Sequence, residues 1–254
     1  MRAAITWWGH ATATVEVDGV RLLTDPVLTG RIGHLRRRRG PEPGAVALSA
    51  DAVLISHLHA DHLHLPSLSL LPDDVPLIVP RGTARFLADA GRADLADRSV
   101  ETRPGGETEL DGIGVRAVPA AHSGRRTPWS RYEGPALGYV IEGVRRVWFA
   151  GDTDLFPQMD GLGPVDAALV PIGGWGPTLG PGHLDPERAA EAVRRVRAGL
   201  AVPIHYGTFW PMGLEHVRPS RFLGPEHAFA AHARTAAPHT SVRILTPGAT
   251  LQLD

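Results

Sequence analysis

The chain has 254 residues, with 26 basic residues against 27 acidic ones, so its formal charge at pH 7 is −1. Such a balance lacks the basic field of a dedicated nucleic-acid binder, and no nucleic-acid partner is expected. The absence of cysteine excludes disulfides, thiolate metal sites and cysteine nucleophiles, and the absence of lysine excludes a lysine Schiff base.

No segment has the pattern of a targeting or membrane sequence. The first ten residues reach Trp7, Trp8 and His10 too early for a signal peptide. The longest uncharged stretch, Ala167–Leu184, is interrupted by several glycines and prolines, which a membrane helix would not tolerate. The sequence therefore predicts a cytoplasmic protein without stable membrane insertion.

Short apolar runs separated by glycine and proline predict strands along most of the chain. Asp18-Gly19, between the first two runs, predicts a hairpin with a tight turn. The predicted strands are Thr12–Val17, Val20–Thr24, Val53–Ser56, Pro76–Val79, Val115–Ala120, Leu137–Ile141, Arg146–Ala150, Ala167–Pro171, Ala201–Ile204 and Ser241–Leu245.

Helices are predicted at three places. The clearest has Asp185 as its cap, Pro186 in its first turn and Gly199 beyond its end. Because helices separate some strands and hairpins join others, the order of elements predicts a mixed α/β layer architecture. The predicted helices are Gly82–Ala90, Pro186–Arg197 and Pro225–Arg234.

The densest chemical signal follows the apolar run Val53–Ile55. Three histidines and one aspartate lie within six positions, which does not suit a core because buried polar groups need partners. Imidazole and carboxylate are the ligands that zinc and similar divalent metals take when no thiolate is present. Four close ligands exceed the needs of one catalytic metal with an open position, so two metals are indicated. These residues are His57, His59, Asp61 and His62.

Three more residues of ligand type each follow the end of a predicted strand. Sites of α/β proteins usually lie at such strand ends. Since these residues and the first cluster extend from His57 to His205, the set also favours a single domain over residues 1–254. The three residues are His122, Asp152 and His205.

In its order and spacing, this set resembles the metallo-β-lactamase superfamily. The resemblance implies an αββα sandwich, in which two mixed sheets flanked by helices hold a two-metal site. Zn²⁺ is the expected metal, and Mn²⁺ or Fe²⁺ would accept the same ligands. By this resemblance His57, His59 and His122 would hold one metal, Asp61, His62 and His205 would hold the other, and Asp152 would bridge them.

Four further motifs resemble the N-acyl phosphatidylethanolamine-hydrolysing phospholipase D branch and the neighbouring ascorbate-6-phosphate lactonase branch. They imply a hydrolase in which two metals activate water, with Asp61, Asp152 and His183 as catalytic candidates. The motifs are Trp8–Thr12, Leu23–Pro26, Gly182–Glu187 and Ile204–Phe209.

The expected substrate is a phosphodiester, on a small-molecule or phospholipid-like anion. A lactone or other cyclic ester is the alternative for the same site. A non-catalytic metal-binding regulatory module is a further alternative, although it has no need for seven intact ligands. Self-association is expected only because homo-oligomers are common in the superfamily.

Several residues near the motifs allow two interpretations. Asp25 either orients a ligand or forms a turn before Pro26, and His183 either lines the active site or is a loop histidine. The arginines Arg36–Arg39 either attract an anionic substrate or form a solvated loop, and Arg125-Arg126 are better placed for a phosphate. Three tryptophans in predicted loops form either pocket walls or core: Trp129, Trp175 and Trp210.

Overall fold

The computed structural model describes residues 2–253, so residues 1 and 254 of the predicted domain 1–254 lie outside the described part. Strands are the most frequent regular elements of the chain. These are, in chain order, β1 (Ala3–Gly9), β2 (Thr12–Val17), β3 (Val20–Thr24), β4 (Arg31–Ile32), β5 (Leu35–Arg37), β6 (Ala52–Leu54), β7 (Leu77–Pro80), β8 (Ser99–Thr102), β9 (Glu107–Leu110), β10 (Ile113–Pro119), β11 (Leu137–Glu142), β12 (Arg146–Phe149), β13 (Val165–Pro171), β14 (Ala198–Ile204), β15 (Phe209–Pro211), β16 (Ser241–Val242) and β17 (Thr250–Leu253).

The helices are short and lie between strands. They are α1 (Ala45–Leu48), α2 (Leu65–Leu68), α3 (Thr83–Asp89), α4 (Ala93–Asp97), α5 (Pro186–Arg195) and α6 (Pro225–Ala236). No helix among residues 2–253 has the length and apolarity needed to cross a membrane.

Two seven-stranded sheets form the body of the molecule. The first has the order β17-β1-β2-β3-β6-β7-β8 and the second the order β16-β14-β13-β12-β11-β10-β9. Each sheet is mixed, since β3, β6, β7 and β8 pair in parallel and so do β12, β13 and β14. A small third sheet, β15-β5-β4, lies outside them.

Alternation along the strands places the core on both faces of the first sheet. Leu22 and Leu54 face the large apolar cluster shared with the second sheet, whereas the neighbouring Leu23 and Val53 face a second cluster under α3 and α4. Successive side chains of a strand point to opposite faces, and both faces are covered here. This explains why these strands are continuous apolar runs.

Helices cover the outer face of each sheet. The side chain of Asp185 accepts a hydrogen bond from the backbone N–H of Arg188 and so caps α5 as predicted. Ala189 and Val193 of this helix pack into the cluster of the second sheet, while Leu87 of α3 packs against the first. The predicted αββα sandwich is confirmed.

Most predicted elements are found, with shifts at their ends. The hairpin of β2 and β3 turns at Asp18 and Gly19, both with positive φ. All three predicted helices form, but the predicted strand Ser241–Leu245 pairs only at Ser241–Val242. The strands β1 and β17 are not among the predicted ones, because they pair with each other from opposite ends of the chain and therefore leave no local hairpin signal.

Candidate metal centre

The candidate ligands lie together because each follows the end of a strand. The loop of His57–His62 leaves β6, and the other three follow β10, β12 and β14. Most of these side chains are buried, and only His59 and His122 are partly accessible. The two sheets thus deliver all seven predicted ligands to one region.

Three histidines form a first group. His59 Nδ1 lies 2.8 Å from His57 Nε2 and 3.2 Å from His122 Nε2. The opposite ring nitrogens have other partners: His57 Nδ1 is 2.9 Å from the hydroxyl of Ser56, and His122 Nδ1 donates to the carbonyl of Gly182 at 2.8 Å. These second partners orient the rings so that the remaining nitrogens converge.

A second group contains Asp61, His62 and His205. Their converging atoms are close, with 3.2 Å between the Nε2 atoms of the two histidines and 3.5 Å from His62 Nε2 to Asp61 Oδ2. His205 Nδ1 donates to the carbonyl of Gly173 at 3.1 Å, which leaves its Nε2 directed at the group. His10 joins this group with its Nε2 3.0 Å from Asp61 Oδ2.

Asp152 lies between the two groups. Its Oδ2 is 3.2 Å from His62 Nε2 and 4.0 Å from His122 Nε2, and its Oδ1 is 3.2 Å from His205 Nε2. That Oδ1 is buried, and among the described residues no donor is oriented to hydrogen-bond it. A buried carboxylate oxygen without a donor, surrounded by imidazole nitrogens, fits a site built for divalent cations.

Asp25 directly follows β3 of the first sheet and supports the site through hydrogen bonds. Its carboxylate accepts hydrogen bonds from the backbone N–H and the hydroxyl of Ser56, at 2.7 and 2.6 Å, and contacts His62 Nδ1 at 2.7 Å. A proton on His62 Nδ1 would leave Nε2 free for a metal. Of the two interpretations of Asp25, the geometry favours the orienting one.

A cavity of about 520 Å³, here called the metal cavity, opens above the two groups. His183 lies in its wall, with Nε2 3.4 Å from Asp152 Oδ2 and Nδ1 3.1 Å from the carbonyl of Gly180. Burial lowers the pKa of His183, but its contact with Asp152 outweighs burial and raises that pKa above its ordinary value. His183 therefore lines the site and is not a distant loop histidine.

A family model described as the β-lactamase superfamily domain matches residues 20–206. The chain belongs to this superfamily. A metal-dependent hydrolase of Thermococcus onnurineus is 34% identical over 263 residues, which cover 98% of this chain and 99% of that protein. A metallo hydrolase of Ignicoccus hospitalis has the same fold, with a TM-score of 0.74, 25% identity and coverage of 100% of this chain and 99% of that one.

Another relative in the superfamily is the N-acyl-phosphatidylethanolamine-hydrolyzing phospholipase D 1 of Caenorhabditis elegans. It is 33% identical over 230 residues, which cover 82% of this chain and 64% of that protein. The chain spans 66% of the length of its mycobacterial relatives. These relationships confirm the predicted metallo-β-lactamase membership and place the chain in a family of metal-dependent hydrolases.

Carboxylates dominate the electrostatics around His62. Burial alone lowers the pKa of His62, but the charges of Asp152, Asp61 and Asp25 outweigh burial and raise that pKa well above its ordinary value. Burial lowers the pKa of His59 to about 4. Without a metal ion, the surroundings therefore favour the protonated form of His62 and the neutral form of His59.

Binding of Zn²⁺ at pH 7 is expected to release protons, in part from His62, because Nε2 cannot hold a proton and a metal together. The raised pKa of His62 means that affinity for the metal rises with pH. Calorimetric titration in two buffers of different ionisation enthalpy measures the release. A binding heat that is equal in both buffers would contradict this assignment.

The two arginines that follow His122, Arg125 and Arg126, contact other groups of the protein. Arg126 donates to the carbonyls of Leu58 and Leu63, both at 2.8 Å. It thereby holds both ends of the loop of His57–His62, here called the metal-binding loop. Arg125 is exposed and pairs with Glu133 at 2.8 Å. Arg126 also lines the cavity above the two ligand groups, whereas Arg125 does not. The expectation that these arginines are placed for a substrate phosphate therefore lacks support for Arg125 and stays a prediction for Arg126.

Arg126→Ala is expected to lower the free energy of unfolding by about 2–3 kcal/mol, because it removes a charged donor from two backbone carbonyls. The neighbouring Arg125→Ala is the matched control and should cost less than about 1 kcal/mol, since it breaks an exposed ion pair. Urea denaturation of the two variants measures the difference. Equal losses in both would show that Arg126 has no special role in the loop.

The segment Arg36–Arg39 differs from the solvated loop that was one of its two interpretations. Its first part belongs to β5, and Arg37 donates to the carbonyls of Trp8 and Val27, at 3.0 and 3.1 Å. Arg38 and Arg39 pair with acidic side chains at 3.3 and 3.2 Å. Three of the four arginines therefore stabilise the fold, and the segment is not a solvated loop.

Trp129, Trp175 and Trp210 lie in three different environments. Trp175 lies in the wall of the metal cavity and stacks edge-on against His34. Trp210 is buried in β15, and Trp129 is 91% exposed. Only Trp175 therefore forms part of a pocket wall.

Proposed function

We propose that this chain is a hydrolase that holds two divalent metal ions and cleaves phosphodiesters of small or phospholipid-like anions. The observation that carries the proposal is the position of Asp152. One carboxylate lies within 4.0 Å of a histidine from each ligand group and has an oxygen without a hydrogen bond. A carboxylate between two such groups is suited to bridge two cations.

The two groups assign the ligands. His57, His59 and His122 would hold one ion, Asp61, His62 and His205 the other, and Asp152 both. Zn²⁺ suits this donor set, and Mn²⁺ or Fe²⁺ accept the same ligands. When bound, two such ions lower the pKa of water and offset the charge of a phosphoryl group.

Residues of the chain supply the remaining functions. Asp61 and Asp152 line the cavity and contribute carboxylate oxygens to the candidate ligand groups. The Nδ1 atom of His183 faces two backbone carbonyls, Gly180 and Pro181, at 3.1 and 3.2 Å, so it carries a proton. The raised pKa of His183 favours a proton on Nε2, which lies 3.4 Å from Asp152 Oδ2. His183 is thus placed to donate that proton to the leaving oxygen.

A phosphodiester is preferred over a lactone on the strength of a relative. The Caenorhabditis elegans protein is named for hydrolysis of a phospholipid, and it is 33% identical to this chain. Phospholipids of that kind contain a phosphodiester, so this similarity supports the same bond here.

Metal content and a substrate panel test this proposal together. Elemental mass spectrometry of the purified protein should find about two transition-metal ions per chain. The loaded protein should then hydrolyse bis(p-nitrophenyl) phosphate and leave simple lactones intact. Turnover of lactones without turnover of phosphodiesters would show that the enzyme cleaves a cyclic ester and not a phosphodiester. Absence of bound metal, with no uptake of Zn²⁺, Mn²⁺ or Fe²⁺, would favour a regulatory module.

A further inference from the structure

A second cavity of about 360 Å³ lies beside the metal cavity. It opens between the loop that follows β13 and the N-terminal end of α6. Four residues of that loop line both cavities: Gly174, Gly176, Thr178 and Leu179. One stretch of backbone therefore forms a wall of both spaces.

The lining of the second cavity is mostly apolar. Leu223, at its mouth, is 60% exposed, and Arg221 has no ion pair among the described residues. No acidic side chain of residues 2–253 lines the cavity. Such a lining favours an apolar group that is neutral or anionic over a cationic one. The apolar side chains are Ile172, Leu179, Pro186, Leu223, Pro225 and Ala228.

The shared wall also touches a candidate ligand. The carbonyl of Gly173 accepts the hydrogen bond of His205 Nδ1 at 3.1 Å. A Cβ on Gly174 would lie 3.3 Å from Leu179 Cδ1 and 3.8 Å from His205 Cε1. The wall between the apolar cavity and the metal centre is therefore thin at Gly174.

We propose that the second cavity is a subsite for an apolar chain of the substrate, whose phosphoryl group lies at the metal centre. This rests on the proposed function and names its substrate class as phosphodiesters that carry an alkyl or similar apolar group. Burial of each methylene is worth up to about fourfold in affinity, because about 0.8 kcal/mol is gained per group. An apolar chain of several carbons should therefore bind far more tightly than a bare phosphate.

Calorimetric titration of the Zn²⁺-loaded protein with octyl phosphate and with inorganic phosphate tests the subsite. Octyl phosphate should bind at least about tenfold more tightly. Ala228→Trp, which fills the cavity, should remove that advantage. Ala231→Trp, on the same helix but outside the cavity lining, is the matched control and should retain it.

Leu223→Glu provides a second variant, because its side chain is exposed and the change cannot unfold a core. The added charge at the mouth of the cavity should weaken the binding of octyl phosphate and leave the binding of inorganic phosphate unchanged. Equal affinities of the two ligands for the wild type would overturn the proposal, as would equal losses in Ala228→Trp and Ala231→Trp. Because these are binding measurements, they stand even if the substrate panel shows no phosphodiester turnover.

Discussion

Asp152→Ala is expected to reduce phosphodiester turnover by at least about 10³-fold, since it removes the one carboxylate that both ligand groups share. The fold should persist, because Asp152 belongs to a strand-end loop and contacts the candidate ligands more than the core. Turnover, metal content and far-ultraviolet circular dichroism of the variant measure these effects. Metal content should fall together with activity.

Asp160→Ala is the matched control for this variant, because Asp160 is an exposed aspartate outside both ligand groups. It should retain the activity and the metal content of the wild type. A wild-type rate in Asp152→Ala would reject the two-metal proposal. Loss of the circular dichroism signal would instead assign Asp152 to the fold.

Asp25→Ala is expected to lower both stability and metal affinity. The carboxylate is fully buried and bonds the backbone N–H of Ser56, its hydroxyl and the ring of His62. Loss of one partner from a buried charged network costs about 3–5 kcal/mol. Loss of a group that orients a metal ligand costs about 10–100-fold in affinity or activity.

Asp51→Ala is the control for Asp25→Ala. Asp51 also accepts a backbone hydrogen bond, from Arg21 at 2.7 Å, but it is exposed. Its loss should cost about 1 kcal/mol or less. Urea denaturation without metal separates the cost to the fold, and titration with Zn²⁺ gives the cost to the site. Unchanged Zn²⁺ affinity in Asp25→Ala would show that the carboxylate serves the fold alone.

Asp152 and Asp25 have different roles in the same site. Asp152 faces the donors of both groups, so its removal should change the chemistry more than the stability. Asp25 lies behind His62 and also holds the start of the metal-binding loop, so its removal should change both. A comparison of the variants therefore separates direct participation in the centre from support of its ligands.

The sequence by itself determined the local features of this protein. The turn at Asp18-Gly19 and the cap at Asp185 depend on neighbouring residues and can be read directly. The seven ligand candidates were also readable, because histidines and aspartates directly after apolar runs have few roles in a core. Their order along the chain carried the resemblance to the superfamily, and with it the αββα sandwich.

Only the tertiary structure decided how distant residues combine. Asp25 and His62 are 37 positions apart, and His62 and His205 are 143 positions apart. The pairing of β1 with β17, the two carbonyls held by Arg126 and the apolar cavity beside the glycine loop likewise join separate parts of the chain. Periodicity and turn chemistry report interactions over a few residues, whereas these contacts depend on the packing of whole sheets. The donor types were therefore visible in the sequence, but their partners and the shape of the space around them were not.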